Sequence, residues 1–182
     1  PRMLTSLQSA ARRGAKIITI NPLKEVGTDR FIHPKDVHLL LGSGTKLTTQ
    51  LLQIRIGGDV ALTKGLMKGL LEAEEKDSGN ILDHEFINTY TEGSHEVIED
   101  IKKQSWDSIT EYSGVTKDEI LKASEIIAKS KRIIGCWAMG LTQHKNAVGN
   151  IQEVLNLLLL KGSMGKPGAG ACPVRGHSNV QG

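Results

Sequence analysis

The length, composition and charge of the chain exclude several classes of protein. It has 182 residues, of which 38% are hydrophobic and 24% charged, which is enough apolar material for the core of about one domain. Aromatic residues make up only 3%, and the net charge is +3 from 23 basic and 20 acidic residues, so a nucleic-acid partner is not expected. No membrane span is expected either, because the longest apolar cluster, Leu157–Leu160, is far shorter than about 18 residues.

The cysteines and the two ends of the sequence suggest where the protein works and how large it is. Cys136 and Cys172 lie 36 positions apart and form no Cys-x-x-Cys pair, so a disulfide scaffold is not expected. A reducing, cytoplasmic location is expected, since the N-terminus also shows no secretory segment. Because the sequence begins at Pro1 without Met and stops at Gly182 within a polar, glycine-rich stretch, we expect an internal piece of a larger protein.

The first elements in chain order have the pattern of an α/β protein. Apolar residues at helical spacing over residues 3–11 predict a helix that ends at Gly14. The β-branched run Ala15–Ile20 predicts a buried strand of a parallel sheet, and Asn21-Pro22 terminates it. A helix, a strand and a polar loop in this order are typical of a doubly wound sheet.

Weaker patterns predict two further strands, at Val37–Leu41 and Leu51–Ile56. Asp59 follows them and is expected to cap the next helix, because its carboxylate can accept from free N–H groups. That helix presents one apolar stripe, which is expected to face the core. The stripe consists of Leu62, Leu66, Met67, Leu70 and Leu71.

Clearer signals mark the elements of the second half. Asp83 is expected to cap a short helix, and Thr116 with Glu119 forms a capping box at the start of another. Arg132–Trp137 is the second clear strand, and the apolar spacing over residues 151–158 predicts the last helix.

Together these elements predict a three-layer α/β sandwich with a mainly parallel, Rossmann-like sheet. We expect residues 1–161 to form this domain. Glycine and proline dominate the sequence beyond Lys161, so residues 162–182 are expected to form a long functional loop.

Two loops that follow predicted strands in the first half carry candidate binding residues. Asn21-Pro22 can bind a ribose or base beyond the end of its strand, or it is a plain turn. At Gly58 and Asp59 the glycine allows close ligand approach, and the carboxylate can accept from the N1–H and N2–H₂ groups of guanine. The alternative for Asp59 is the helix cap described above.

The second half carries two further candidates. In the segment after the second strand, Gly140 gives access to the backbone, Gln143 offers a donor and an acceptor, and His144 can act as acid, base or ligand. The alternative for His144 is a solvated residue at a helix start. In residues 162–182, Arg175 can clamp a carboxylate or phosphate through two parallel N–H bonds, unless the segment is a disordered tail. No Ser-His-Asp order, P-loop or zinc-ligand spacing is present.

In their order along the chain, these segments resemble formate dehydrogenase alpha subunits, which belong to the molybdopterin oxidoreductases of the dimethyl sulfoxide reductase family. The resemblance covers nearly the whole chain and is most specific in the Pro-Val-Arg-Gly stretch. The chain departs from the family at Asn21-Pro22-Leu23, where Asp-Pro-Arg is usual, and at His177-Ser178, where formate dehydrogenases often carry Gln-Asn. The matching segments are Gly14–Lys16, Asn21-Pro22, Arg55–Leu62, Ala138–Gln143, Asn156–Leu158, Gly162–Gly170 and Pro173–Gly182.

The resemblance implies a central domain that binds one half of a bis-molybdopterin guanine dinucleotide with molybdenum. Asn21 and Asp59, with their neighbours Pro22 and Gly58, would lie at the guanosine end. The pterin and pyrophosphate would be lined by Met139, Gly140 and Gln143.

The resemblance also implies an active-site end. Arg175 would hold the carboxylate of formate or of a related small anion beside molybdenum, and Gly176, Asn179 and Gln181 would shape the same pocket. The implied partners are the remainder of the parent subunit and an electron-transfer subunit. The resemblance also allows an iron–sulfur cluster in the missing N-terminal part of the parent subunit. The fragment by itself is expected to be inactive. Two alternatives stay open, a non-catalytic nucleotide-binding α/β domain and a purely structural fragment.

Overall fold

The computed structural model describes most of the chain, namely residues 2–33, 42, 44–77, 79–174 and 176. The chain divides into two compact units, residues 1–54 and residues 55–182. The strand expected at Val37–Leu41 lies outside the described residues.

The first unit contains a parallel and an antiparallel strand pair. β1 pairs with β4 in parallel, from Ile18 opposite Gln50 to Asn21 opposite Gln53, while β2 pairs with β3 antiparallel. The helix end predicted at Gly14 is confirmed, since this glycine has a positive φ of 90°. The elements are α1 (Arg2–Arg12), β1 (Ile18–Asn21), α2 (Val26–Asp29), β2 (Arg30–Phe31), β3 (Thr45–Lys46) and β4 (Gln50–Gln53).

The first predicted strand is confirmed as β1, but it is less buried than the sequence pattern indicates. Ile20 is 43% exposed, whereas Leu52 on β4 is fully buried. Within the described residues, β1 forms a ladder with β4 alone. A fully buried parallel strand needs neighbours on both edges and layers on both faces, and β1 lacks a second ladder here.

The second unit packs around its longest helix, α3. This helix contacts α5, α6, α7 and α9, and its predicted apolar stripe is buried throughout. The elements are α3 (Asp59–Lys76), α4 (His84–Tyr90), α5 (Ser94–Lys103), α6 (Trp106–Ser113), α7 (Lys117–Lys129), β5 (Ile134–Trp137), α8 (Met139–Thr142), α9 (Ala147–Leu160) and β6 (Gly170–Pro173).

Two glycines let α3 approach its neighbouring helices closely. A Cβ at Gly65 would lie 2.7 Å from Ile109 Cγ2 on α6. A Cβ at Gly69 would overlap the hydroxyl of Ser124 on α7 and lie 2.7 Å from Ser124 Cβ. The same hydroxyl donates to the carbonyl oxygen of Leu66 at 3.0 Å, so the contact combines close packing with a buried hydrogen bond.

The capping predictions are confirmed at two helices. Asp83 accepts from the backbone N–H of Phe86 at 3.0 Å, at the start of α4. At the start of α7 the Glu119 carboxylate accepts from the backbone N–H of Thr116 at 3.1 Å, and the Thr116 hydroxyl accepts from Glu119 N–H. Local sequence therefore defines both of these helix starts.

At α3 the capping prediction is wrong. Gly58 is the N-cap, and Asp59 is the first helical residue and makes no side-chain cap bond. A Cβ at Gly58 would lie 2.7 Å from the backbone oxygen of Tyr112 and 2.8 Å from Ser113 Cα. The close approach of the end of α6 thus requires glycine at the cap position and moves Asp59 into the helix.

The end of α9 is held by two buried or half-buried lysines. Lys161 is 8% exposed, and its ammonium donates to the carbonyl oxygens of Ile81 (2.6 Å) and Ala128 (3.0 Å); burial lowers the pKa of Lys161. Lys166 donates to the Asp83 carboxylate at 2.8 Å. Gly162 has a φ of 52° and contacts Asp83 so closely that a Cβ would overlap that carboxylate. These contacts tie the segment after α9 to the start of α4.

The segment expected to be all loop contains a strand. β6 pairs with β5 in parallel, from Ile134 opposite Gly170 to Trp137 opposite Pro173. Glycine and proline are poor strand formers, so the pairing depends on β5 and not on the local sequence. Two of the three described ladders are parallel, which confirms the α/β class with mainly parallel strands. Of the helices described, none is both long and apolar enough to cross a membrane.

Replacing Gly69 by Ala is expected to lower the free energy of unfolding by about 1–3 kcal/mol, because the new methyl group overpacks the α3–α7 contact. The matched control is Gly149→Ala in α9, where a Cβ meets nothing within 4 Å. That change is expected to stabilise by up to about 1 kcal/mol through helix propensity. Urea unfolding of the three chains measures both effects, and equal behaviour of the two variants would contradict the close-packing argument.

The Asp83–Lys166 ion pair is expected to make the free energy of unfolding depend on pH in the acidic range. The hydrogen bond from Lys166, followed by that from Phe86 N–H, lowers the pKa of Asp83 in the folded protein. The ion pair therefore stabilises the fold fully at pH values above the unfolded-state pKa of Asp83. Its contribution is lost as the pH falls through the folded-state pKa. Asp83→Asn keeps a good N-cap residue. It is expected to cost up to about 1 kcal/mol at pH 7 and less at about pH 3, which lies below the unfolded-state value of about 3.9. Unfolding curves at both pH values test this, and a cost that does not change with pH would refute it.

Candidate functional site

The second unit brings two of the predicted segments to one sheet edge. β5 and β6 are parallel, so their carboxyl ends, at Trp137 and Pro173, lie side by side. The backbone N–H of Val174 donates to the carbonyl oxygen of Trp137 at 2.7 Å and extends the contact by one residue. Beyond this edge the chain continues into α8 on one side and to Gly176 on the other. In open α/β sheets this is where ligands bind.

Three predicted site residues meet at this edge. The side-chain amide of Gln143 donates to Met139 Sδ at 3.6 Å. A Cβ at Gly176 would lie 3.0 Å from the same sulfur atom, so this position has little room for a side chain. Met139 is 48% exposed and forms part of the surface. Met139, Gln143 and Gly176 therefore form one exposed cluster, which we call the β5–β6 edge cluster.

Gly140 lies beside this cluster and has open space where a side chain would be. A Cβ at Gly140 would meet no atom within 4 Å. This agrees with the role expected for it, namely access of a ligand to the backbone of α8.

Sequence reasoning missed Asn150, the residue that positions α8. Asn150 lies in the first turn of α9, is 3% exposed, and donates to the carbonyl oxygen of Leu141 at 3.4 Å. The sequence signal that could have found it is an amide next to the apolar positions of the predicted helix. A buried amide needs a hydrogen-bond partner, so such a residue is expected to connect two segments.

Asp59 and His144, from two separate motifs, also come within electrostatic reach of each other. Burial raises the pKa of Asp59, while its own backbone N–H and the charge of His144 lower it by less, so the net pKa is above the ordinary aspartate value. A partly desolvated carboxylate is stabilised when N–H donors approach it. This suits the predicted role of Asp59 as an acceptor.

Asn21 and Pro22 belong to the first unit, at the carboxyl end of β1. The Asn21 side-chain amide donates to the carbonyl oxygen of Leu23 at 2.7 Å, and the Gln53 amide donates to that of Pro22 at 3.1 Å. The backbone N–H of Ile54 donates to Asn21 O at 3.3 Å. The amide nitrogen of Asn21 thus holds the turn together, as the plain-turn alternative expects.

A cavity of about 140 Å³ lies in the first unit next to this turn. Sequence reasoning did not single it out, because residues from α2, β3 and β4 come together there only in the folded unit. Its lining residues are Lys24, Glu25, Thr28, Asp29, Lys46, Thr48, Thr49 and Leu51.

Three candidates from the C-terminal segment, Arg175, Asn179 and Gln181, lie outside the described residues. Their roles stay predictions. The described part of that segment reaches Val174 and Gly176, which belong to the β5–β6 edge.

The fold by itself defines an α/β protein with mainly parallel strands. Acetylene hydratase from Pelobacter acetylenicus has a similar structure, with a TM-score of 0.73 and 23% sequence identity, over 91% of this chain and 20% of that one. At this identity the likeness shows the fold alone. No protein-family model matches the chain.

Sequence relatives are more specific. Protein YdeP of Escherichia coli K12 is 46% identical over the whole chain and 25% of its own length. The uncharacterized oxidoreductase Rv2900c of Mycobacterium tuberculosis is 45% identical over 23% of its length, and formate dehydrogenase H of Escherichia coli is 31% identical over 22%. The chain spans about a quarter of the length of these relatives.

These relatives confirm the resemblance seen in the sequence. Along its whole length the chain is similar to a segment of formate dehydrogenases and of uncharacterized oxidoreductases.

The hydrogen bond from Asn150 is expected to hold α8 against α9. Replacing Asn150 by Ala removes it, at a cost of about 0.5–1.5 kcal/mol. Hydrogen exchange at the backbone N–H groups of Leu141 and Gln143 should then speed up by about twofold to tenfold. Asn156→Ala in the same helix is the control, since its amide contacts Glu153 instead. Equal exchange in the two variants would show that Asn150 does not position α8.

Proposed function

We propose that the chain binds part of a bis-molybdopterin guanine dinucleotide in a molybdenum-dependent, formate dehydrogenase-like oxidoreductase. The observation that carries the proposal is the β5–β6 edge cluster, in a chain that is 31% identical to formate dehydrogenase H over its whole length. In the proposed division, residues 1–161 form the cofactor-binding domain and residues 162–182 supply the active-site loop.

The chemistry of the edge suits the pterin and pyrophosphate. Open space at Gly140 lets a flat or charged group reach the backbone of α8. The Gln143 amide offers both a donor and an acceptor. The exposed Met139 side chain offers an apolar, polarizable surface for a ring.

The chemistry of Asp59 suits guanine. Guanine presents N1–H and N2–H₂ as adjacent donors, and a carboxylate accepts both at once. Gly58 and not Asp59 is the N-cap of α3, and the Asp59 carboxylate, which accepts from its own backbone N–H, keeps further lone pairs for guanine. Gly58, the residue before Asp59, is proposed to let guanosine approach the chain closely. In the first unit, Asn21 and Pro22 are proposed guanosine-binding residues.

Arg175 is proposed to orient the substrate. A guanidinium binds a carboxylate through two parallel N–H bonds, so a fixed arginine would hold formate in one orientation and balance its charge. When bound, the molybdenum and pterin would take up the electrons of the substrate. Gly176, Asn179 and Gln181 are proposed to shape the pocket around that arginine.

The proposal includes partners that this chain does not contain. The remainder of the subunit would complete the cofactor site, and an electron-transfer subunit would receive the electrons. An iron–sulfur cluster would lie in the preceding part of the subunit, and the enzyme would work in the cytoplasm. The segment alone would have no activity.

Arg175→Ala in the full-length enzyme is expected to lower formate-dependent dye reduction by at least about a hundredfold, because an oriented charge partner of the substrate is lost. Molybdenum and pterin content should stay near that of the unmodified enzyme. Arg13→Ala, in the exposed turn that follows α1, is the control and should keep full activity. Undiminished activity of the Arg175 variant would remove this residue from catalysis.

Asp59→Asn is expected to weaken binding of guanine nucleotides more than that of adenine nucleotides, by about tenfold, since the amide presents a donor where guanine needs an acceptor. Asp118→Asn is the matched control, because Asp118 is also acidic and lies in the first turn of a helix, α7. Calorimetry with guanosine and adenosine diphosphates measures the difference. An equal loss for both nucleotides would contradict guanine recognition.

Metal and pterin analysis of the full-length protein separates the proposal from its alternative. Molybdenum with two pterins supports the proposed cofactor, and formate-dependent activity in the same sample supports the substrate. Cofactor without that activity would move the substrate to another small molecule. Nucleotide binding without molybdenum or pterin would favour a non-catalytic nucleotide-binding domain.

A further inference from the structure

The two cysteines of the chain lie opposite each other in the β5–β6 ladder. Cys136 of β5 is in register with Cys172 of β6, and both are free and exposed. Neighbouring strands are about 4.7–4.9 Å apart, and residues in register point to the same face of the ladder. Disulfides join Cα atoms about 4.4–6.8 Å apart. The backbone therefore places the two thiols within bonding range of each other.

The face that carries the cysteines is the one that α9 leaves open. Gly135 belongs to the opposite face, where a Cβ would lie 3.2 Å from Leu158 Cδ1 and 3.4 Å from Val154 Cγ1 of α9. Ile134, on the same face as Cys136, is 56% exposed. A small reagent can thus reach the thiols from the side that α9 does not cover.

The two thiols also interact with each other. Partial burial, followed by the charge of Cys172 and a hydrogen bond with it, raises the pKa of Cys136. The thiolate is the reactive form, so the raised pKa moves the reaction of Cys136 to higher pH.

We propose that Cys136 and Cys172 form a redox-active dithiol that low-molecular-weight disulfides oxidise to a cross-strand disulfide. One cysteine thiolate attacks the small disulfide, forms a mixed disulfide and releases one small thiol. The second cysteine thiolate then attacks the cysteine sulfur of the mixed disulfide and releases the other small thiol. The pair loses two electrons and two protons, and the small disulfide becomes two thiols.

The dithiol lies on the two strands that lead into the candidate site. Cys136 precedes Met139 by three residues, and Cys172 precedes Gly176 by four. A covalent link between the strands would fix their spacing where they lead into the β5–β6 edge cluster. The dithiol itself uses no residue of the proposed cofactor site, so it stands or fails independently of the proposed function.

Oxidation of the full-length protein with glutathione disulfide at about pH 8 tests the proposal. After alkylation and digestion without reductant, mass spectrometry should find the Cys136 and Cys172 peptides linked, and dithiothreitol should restore alkylation of both. Either cysteine still alkylated in the oxidised folded protein, stable glutathione adducts on both, or a link to a different cysteine would overturn it.

Single variants test the second attack. In Cys172→Ser a glutathione adduct should persist on Cys136, and in Cys136→Ser one should persist on Cys172, because the resolving thiol is absent. An adduct in the unmodified protein as stable as those in the variants would refute the second attack. The mapping of the unmodified protein decides the proposal even where a variant fails to fold.

Discussion

The close approach of α3 to its neighbouring helices is the constraint on which the second unit depends. Glycine at positions 65 and 69 lets α6 and α7 pack directly against the α3 backbone, and the Ser124 hydroxyl closes the contact with a buried hydrogen bond. The buried stripe of α3 then lies within the same core as α9. Because interiors pack at near-crystalline density, a single extra methyl group here has no free space to enter. Close helix packing thus favours glycine at these positions, although glycine has a low helix propensity.

The same packing carries the candidate site. α9 lies against α3 on one side and against β5 on the other, and Asn150 in its first turn reaches the backbone of α8. At its other end, the buried ammonium of Lys161 satisfies carbonyl oxygens of two separate segments. A charge this buried is tolerated because it is hydrogen-bonded, and it holds the chain where the segment toward β6 begins. Contacts at both ends of α9 therefore support the β5–β6 edge.

Much of the fold follows from local sequence. The strands β1 and β5, the buried stripe of α3, the Asp83 cap and the Thr116–Glu119 capping box follow from short patterns of apolar spacing and side-chain hydrogen bonding. Three features do not. The N-cap at Gly58 depends on the distant backbone of α6, and the exposure of β1 depends on its neighbours. The strand β6 begins with glycine and ends with proline, and it forms because β5 lies beside it. Each is decided by a contact far away in the sequence.

The sequence by itself determined the α/β class, the family resemblance and the identity of the candidate residues, because those depend on residue type and order. Only the tertiary structure decided which residues meet. Gly176 contacts Met139, Asp59 interacts with His144, and Cys136 lies opposite Cys172, although each pair is separated by more than thirty positions. Strand register and helix packing create these neighbours, and both are set by the mutual fit of buried surfaces that no local pattern encodes.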